Sequence, residues 1–407
     1  MKKFLGAVSV LALLACAIGA ALLRRELYRP YQGYSENVIL EIAPGTRAPD
    51  LASTLVARGV LANRWPFLLR YFAGRIFRRR VKAGEYLFDR PLRPIDVYQK
   101  LIRGDIYLYA VLVPEGSDRF DIAEIVHDTM HVNPDEFLRV AQQASSIRDL
   151  DPQASTLEGY LFPDTYRFPR GVTAQTMVET MLARFRHVLG AKFKADLDHS
   201  GKSLHEVITL ASLVEKETPD PAERPVVAGV FARRLEKGME LACDPTVVYA
   251  ARLNHRMLTR PEPPITRSDL AFDSPYNTYL HAGLPPGPIA NPGEASIRAA
   301  LAPASGNALY FVSNNHGGHT FAATLAEHER NVARYRKEVA VLRSLAPGDA
   351  SAAHGGSPAR NGRSSPAKDS GKVHTTGGST KRGQHQKQKT AYPGASPGAE
   401  ARTSGGK

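Results

Sequence analysis

The sequence predicts an α+β protein, and three observations carry that reading. Short alternating apolar runs are followed by Pro/Gly turns and amphipathic helical stretches three times between Asn37 and Asp128. A longer apolar helix is patterned over residues 203–217 and ends against a proline. The 407 residues, 43% hydrophobic and 23% charged, suffice for two or three domains with real cores.

The elements follow in order. After Lys2 and Lys3 comes "FLGAVSVLALLACAIGAALL", Phe4 to Leu23, then Arg24 and Arg25. Roughly 20 apolar residues at about 1.5 Å each match a hydrocarbon core of about 30 Å, so residues 1–30 read as a cytoplasmic start and an uncleaved transmembrane helix. Positive charge flanks both ends and leaves orientation open. A cleaved signal peptide is the rival, on the small residues of "ACA" and "AIGAA", and lipid modification of Cys16 is a further alternative. Cys243 is the only other cysteine, so the part beyond an anchor has no partner for a disulfide.

Residues 37–106 form a small α/β module. "NVILEIAPGTRAPDLASTLVARGVL" reads as strand, Pro-Gly turn and a helix with Leu51, Leu55 and Val56 on one face. "VKAGEYLFDRPLRPIDVYQKLIRGD" repeats the logic, with a strand from Gly84 to Phe88 and a helix ending near Gly104. A third unit, "YAVLVPEGSDRFDIAEIVHD", opens a larger α+β domain over residues 109–345. From 346 to 407 the chain is rich in Gly, Ser, Pro and Lys with few large apolar residues, which predicts a disordered tail. Ten Lys/Arg and three Asp/Glu place +7 of the formal +13 there, so the body is only mildly basic and gives no footprint for nucleic acid.

The chemistry concentrates in the larger domain. In "SLHEVITLASLVEKE" Ser203 is the expected N-cap, with Glu206 at capping-box spacing. Leu204, Val207, Leu210, Ala211, Leu213 and Val214 make one apolar stripe, and Glu215 and Glu217 flank it on either side, about 80° from its centre. Periodicity does not choose between them. Pro219 stops the helix at Thr218, leaving Glu217 in the last turn. There the negative end of the helix dipole and apolar neighbours both disfavour the charged carboxylate, which is what a general acid requires. The plain alternative is a pair of solvated end-of-helix charges.

Two further stretches read as a sugar-binding frame. "EGYLFPDTYRF" offers Tyr160, Phe162 and Tyr166 as flat faces, with Glu158 and Asp164 as acceptors for hydroxyls; equally, the aromatic residues can be core and Asp164 can begin a turn. "YNTYLHAGLPPGPIANPG" is a stiff Pro/Gly loop in which Tyr276, Asn277, Thr278 and Gly283 are the candidate contacts. "NNHGGHTF" has ligand-like histidine spacing at His316 and His319, but a Gly-Gly hairpin between "LYFVSN" and "HTFAATL" accounts for it without a metal.

These motifs, in this order behind an N-terminal apolar segment, resemble the MltG (YceG-like) family of membrane-anchored endolytic peptidoglycan transglycosylases, over roughly residues 1–340. The resemblance implies that the second glutamate of "EKET", Glu217, is catalytic, that the small module is LysM-like, and that "HTF" matches at His319 but not at His316. It further implies a single-pass protein of the bacterial inner membrane, acting outside the cytoplasm without cofactor or metal. Its partners would be peptidoglycan glycan strands and, by extension, the synthases that make them. One carboxyl group would serve as acid and then base, whereas hydrolysis of the same bond needs a second carboxylate, for which Glu158, Asp164 and Asp244 are the candidates. A muramidase and a non-catalytic glycan-binding scaffold are the competing functions.

Overall fold

The computed structural model describes residues 2–254 and 265–345, and the tail at 346–407 lies outside the described residues. The fold is α+β, with small antiparallel sheets among many helices. The described residues fall into two compact units. One holds those within Met1–Glu215 and Gly287–Ile297; the other holds those within Lys216–Pro286 and Arg298–Lys407.

The first unit opens with helix α1 (Lys2–Tyr28). The apolar run lies inside α1, with the side chains of residues 2–9 outside the described ones. Among the described residues no helix is long and apolar enough to cross a membrane. β1 (Val38–Ile42) then leads through a Pro-Gly turn into α2 (Ala48–Ala57), α3 (Arg64–Ile76), β2 (Gly84–Phe88) and α4 (Pro94–Arg103). The two strands pair antiparallel, Val38 opposite Phe88 and Ile42 opposite Gly84. Alternation therefore sends Leu40, Ile42, Tyr86 and Phe88 to one buried face, where they meet Leu51, Leu55, Phe67, Tyr98 and Leu101. As the sequence predicts, α4 stops at Gly104, which takes the left-handed conformation at φ 77° and returns its N–H to the Lys100 carbonyl. Helix α3 was not legible as a separate element. Its Gly74 is required, because a Cβ there would lie 1.8 Å from the Tyr98 hydroxyl.

The same unit continues through β3 (Tyr109–Leu112), α5 (Arg119–Met130), α6 (Pro134–Ala141), β4 (Thr165–Phe168), α7 (Ala174–Leu189) and α8 (Ala191–Ser200). β3 and β4 pair antiparallel, Tyr109 opposite Phe168. α9 (Leu204–Glu217) ends at the residue that Pro219 dictates, and Ser203 and Glu206 exchange hydrogen bonds of 2.8 and 3.2 Å at its start as a capping box. The unit boundary at Glu215 and Lys216 falls in its last turn.

The second unit carries α10 (Arg224–Glu236), α11 (Asp244–Leu253) and α12 (Arg267–Leu270). It is completed by the end of α13 (Glu294–Leu301), the hairpin β5 (Tyr310–Ser313) and β6 (His319–Ala322), and α14 (Leu325–Leu345). The hairpin reading of "NNHGGHTF" holds: Ser313 pairs with His319 across the Gly-Gly turn.

Candidate active site

Glu217 closes α9, and its surroundings come from four parts of the second unit. Cys243 and Asp244 start α11, Tyr279 follows the Pro/Gly loop's "YNT", Arg234 projects from α10, and His319 opens β6. Desolvation is the largest influence on the Glu217 carboxyl and pushes it up to about 7; the Cys243 thiol hydrogen bond pulls down, the Asp244 charge pushes up, and His319 and Arg234 pull down. The residue keeps some accessible surface, so the carboxyl group rather than the whole side chain is withdrawn from water. A group that holds a proton at neutral pH yet can be approached meets the requirement for a general acid.

Each neighbour is itself fixed. The Tyr279 hydroxyl donates to Asp244 Oδ1 at 2.5 Å. Burial raises Asp244 above the ordinary aspartate range, with the Tyr279 hydrogen bond opposing, and burial together with Asp244 raises the Tyr279 phenol strongly. Cys243 is buried, and desolvation and the Glu217 charge push its thiol well up. Arg234 gives Nε to the Leu309 carbonyl at 2.7 Å and Nη1 to that of Leu241 at 2.8 Å, with its guanidinium 5.2 Å from the Tyr310 ring centre. Desolvation lowers its pKa. His319 bonds Glu223 twice, through its backbone N–H to Oε1 at 2.8 Å and through Nδ1 to Oε2 at 2.7 Å. Glu223 also accepts from the Thr218 hydroxyl at 3.1 Å, so the turn after α9 is tied to β6. Burial alone would raise Glu223, but the His319 hydrogen bonds bring it below its ordinary value.

The Pro/Gly loop residues divide. Thr278 accepts from the Cys243 N–H at 3.0 Å, lies 2.9 Å from the Thr246 hydroxyl, and is buried. Asn277, also buried, gives its amide to the Leu270 and Phe272 carbonyls at 2.9 and 2.8 Å. Tyr276 packs on Tyr249 at 5.1 Å between ring centres. These residues hold the loop and the start of α11 in place, and Tyr279, which no local pattern singles out, is the one that reaches the Asp244 carboxyl.

Glu158, Tyr160 and Asp164 belong to the first unit. Glu158, 2% exposed, accepts the Arg119 N–H at 3.1 and 3.2 Å and the Asn291 amide at 3.1 Å, with Arg119 Nε 3.9 Å away. Tyr160 is buried, bonds Asp151 and packs edge-on to Phe185. Phe162 and Tyr166 are buried too, so the core alternative describes this motif's aromatic residues. Asp164 pairs with Arg184 at 2.6 Å at the surface and caps Thr165 at 2.7 Å. Asn291, from "IANPG", is the hub: its Oδ1 accepts the Leu161 N–H at 2.8 Å and its Nδ2 donates to the Ser117 carbonyl at 2.9 Å. Glu215 sits in this unit and accepts the Gly293 N–H at 2.9 Å just ahead of α13. Among the described residues no cluster of three His, Cys, Asp or Glu is placed to hold a metal.

With that geometry in hand, the chain compares directly with known proteins. Residues 40–334 match the model of the YceG-like family. The chain belongs to the YceG-like family. A relative in Bacillus subtilis (strain 168), an endolytic murein transglycosylase by name, is 31% identical over 335 residues, covering 78% of this chain and 90% of its own length. A relative of the same name in Streptococcus pneumoniae serotype 2 (strain D39 / NCTC 7466) is 27% identical over 326 residues, covering 73% of this chain but 58% of its own. The crystal structure of a yceG-like protein from Listeria monocytogenes is 30% identical, aligns with a TM-score of 0.50, and covers 73% of this chain and 99% of that one.

Proposed function

We propose that this YceG-like chain is an endolytic murein transglycosylase, with Glu217 as its acid and base. The observation that carries the reading is a carboxyl group at a helix end, desolvated and held near pKa 7, beside a fixed arginine and histidine. The protonated carboxyl gives its proton to the glycosidic oxygen between N-acetylmuramic acid and N-acetylglucosamine. The C–O bond to the muramic carbon breaks with its electron pair leaving on that oxygen, and an oxocarbenium-like centre develops. The resulting Glu217 carboxylate takes the proton from the same sugar's 6-hydroxyl, whose oxygen closes on the ring carbon. Glu217 ends protonated, no water is consumed, and the new end is a 1,6-anhydro sugar.

Asp244 supports a second reading, a muramidase, because its charge acts on Glu217 and hydrolysis needs two carboxylates. Burial and the Tyr279 hydrogen bond engage Asp244 in a way that favours a local electrostatic role over water activation. Mass analysis of glycan products decides: anhydro ends lighter by one water support the transglycosylase, and reducing ends would replace it with the hydrolase. Glycan binding without cleavage by the parent chain, unchanged in Glu217→Gln, would favour a non-catalytic scaffold.

The setting is part of the proposal. The apolar run Phe4 to Leu23 is read as an uncleaved single-pass anchor in a bacterial inner membrane, with the chain after Tyr28 outside the cytoplasm. The module at residues 37–106 is read as LysM-like, on the strength of its strand pair and three helices around one core. Peptidoglycan synthases are proposed as neighbours, and termination of glycan-strand elongation as the outcome. N-terminal sequencing of the mature protein tests the anchor; a start beyond residue 20 would overturn it.

A further inference from the structure

Helix α3 presents an apolar stripe to solvent. Trp65, Leu69, Phe72 and Ile76 are spaced by four, three and four residues and so share one face within about 60° at 100° per residue. They are 58, 52, 50 and 80% exposed, and Phe77, just past the helix end, is 73% exposed. The opposite face is the one that packs: Phe67 and Leu68 are buried, and Gly74 lets the Tyr98 hydroxyl in. The helix is thus apolar on both faces, and its outer face has no structural task inside the module.

The charges around that face are of one sign. Arg64, Arg75, Arg78, Arg79 and Arg80 are all exposed, the last three as a run directly after Phe77. The guanidinium of Arg64 lies 5.0 Å from the Trp65 ring centre. α3 and α4 also touch α1, whose end is fastened to the module by Arg93 over the Tyr28 ring and by the Tyr31–Leu92 bridge. An amphipathic helix with Trp, Phe and Leu on one face and arginines beside it has the chemistry of an interfacial helix, which lies about 5–10 Å into the boundary between headgroups and acyl chains. Arginine runs next to it favour anionic headgroups.

We propose that the outer face of α3 docks on an anionic phospholipid bilayer, with Trp65, Leu69, Phe72, Ile76 and Phe77 inserted and Arg78, Arg79 and Arg80 on the headgroups. The module then lies against the membrane surface beside α1, fixed in orientation as well as in position. This goes beyond the anchor reading, and α3 can bind a surface whether or not α1 spans it.

Trp65 is the chain's single tryptophan, so its emission reports on this face alone. The experiment places the full chain in nanodiscs of phosphatidylcholine, with or without phosphatidylglycerol, whose acyl chains carry bromine. Co-elution with the discs reports the anchor; Trp65 quenching reports α3, and vesicles of the same lipids added to the chain report it if the anchor reading fails. With phosphatidylglycerol present, Trp65 emission should shift to the blue, lose intensity to bromine and be shielded from iodide. The exposed triple substitution Arg78→Glu, Arg79→Glu and Arg80→Glu should weaken surface association at least about fivefold for each charge removed. The proposal is overturned if Trp65 remains open to iodide. Equal quenching with and without phosphatidylglycerol would also overturn it, as would shielding from iodide without bromine quenching, which would mean a protein covers the face.

Discussion

The two units treat buried carboxylates in opposite ways. In the first, Glu158 is met by two approaches of a backbone N–H, an amide and a guanidinium, and Glu215 by the Gly293 N–H. In the second, the Glu217 carboxyl is desolvated and meets the charge of Asp244, opposed by a thiol, a weak donor, and by the charges of His319 and Arg234. Strong donors give a buried carboxylate the partners its charge needs and make it structural. Desolvation, joined by a like charge, outweighs the thiol, the histidine and the arginine, leaves the charged form disfavoured and makes the group an acid. The difference teaches that the surroundings sort these glutamates: Glu215 and Glu217 share a helix end two residues apart and still receive opposite treatment.

The largest effect that could break this contrast is on turnover. Glu217→Gln keeps the shape but removes the transferable proton, and should lower turnover on uncrosslinked glycan by at least about 10²–10⁴-fold. Glu215→Gln still offers an acceptor to Gly293 and should stay within about tenfold of the parent. A dead Glu215→Gln beside an active Glu217→Gln would reverse the assignment.

Stability gives the next effects. Glu158→Ala strips the acceptor from the Arg119 N–H and the Asn291 amide and leaves a buried guanidinium uncompensated, for an expected loss of about 3–5 kcal/mol in denaturant unfolding. Glu217→Gln should do the reverse above neutrality. The Glu217 pKa rises from an ordinary 4.5 to about 7, so the folded state is increasingly disfavoured as pH climbs through that window. Below about pH 4.5 the carboxyl is protonated in both states and the substitution should bring no gain. Above pH 7 it should stabilise by about 3 kcal/mol, from 1.36 kcal/mol for each unit. Unfolding midpoints at two pH values check the sign, and equal differences at both would refute the desolvated acid.

The smallest effect concerns Cys243. Its hydrogen bond lowers the Glu217 pKa, so Cys243→Ala should move that group's limb of the pH–rate profile to higher pH with little loss at the optimum. A shift to lower pH would show that the thiol acts in another way.

What the sequence disclosed were features written within a few residues. The strand Gly84–Phe88, the Gly104 stop, the capping box at Ser203, the Pro219 terminus and the Gly-Gly hairpin all follow from local rules. The helix-end argument for Glu217 was local too. Hidden features depended on partners far along the chain: Asn291 meets Glu158 across 133 positions, and Glu223 meets His319 across 96. The aromatic residues stay undecided in the sequence for a related reason. Tyr160 as a sugar platform and Tyr160 as core have the same spelling, and only the presence of Phe185 and Asp151 separates them.

The Glu223–His319 bond has a consequence in time. Its halves are 96 residues apart, which at about 5–20 residues per second separates their synthesis by roughly 5–20 s. Glu217 leaves the ribosome before Asp244, whose charge raises its carboxyl, and before most of the second unit, whose folding takes the carboxyl out of water. A growing chain therefore carries an ordinary, ionised glutamate at this position, and the proton-holding carboxyl comes into being only when the second unit has folded around it. The turn after Glu217 is tied to β6 only once His319 has been made, so the setting of this glutamate is completed late in synthesis.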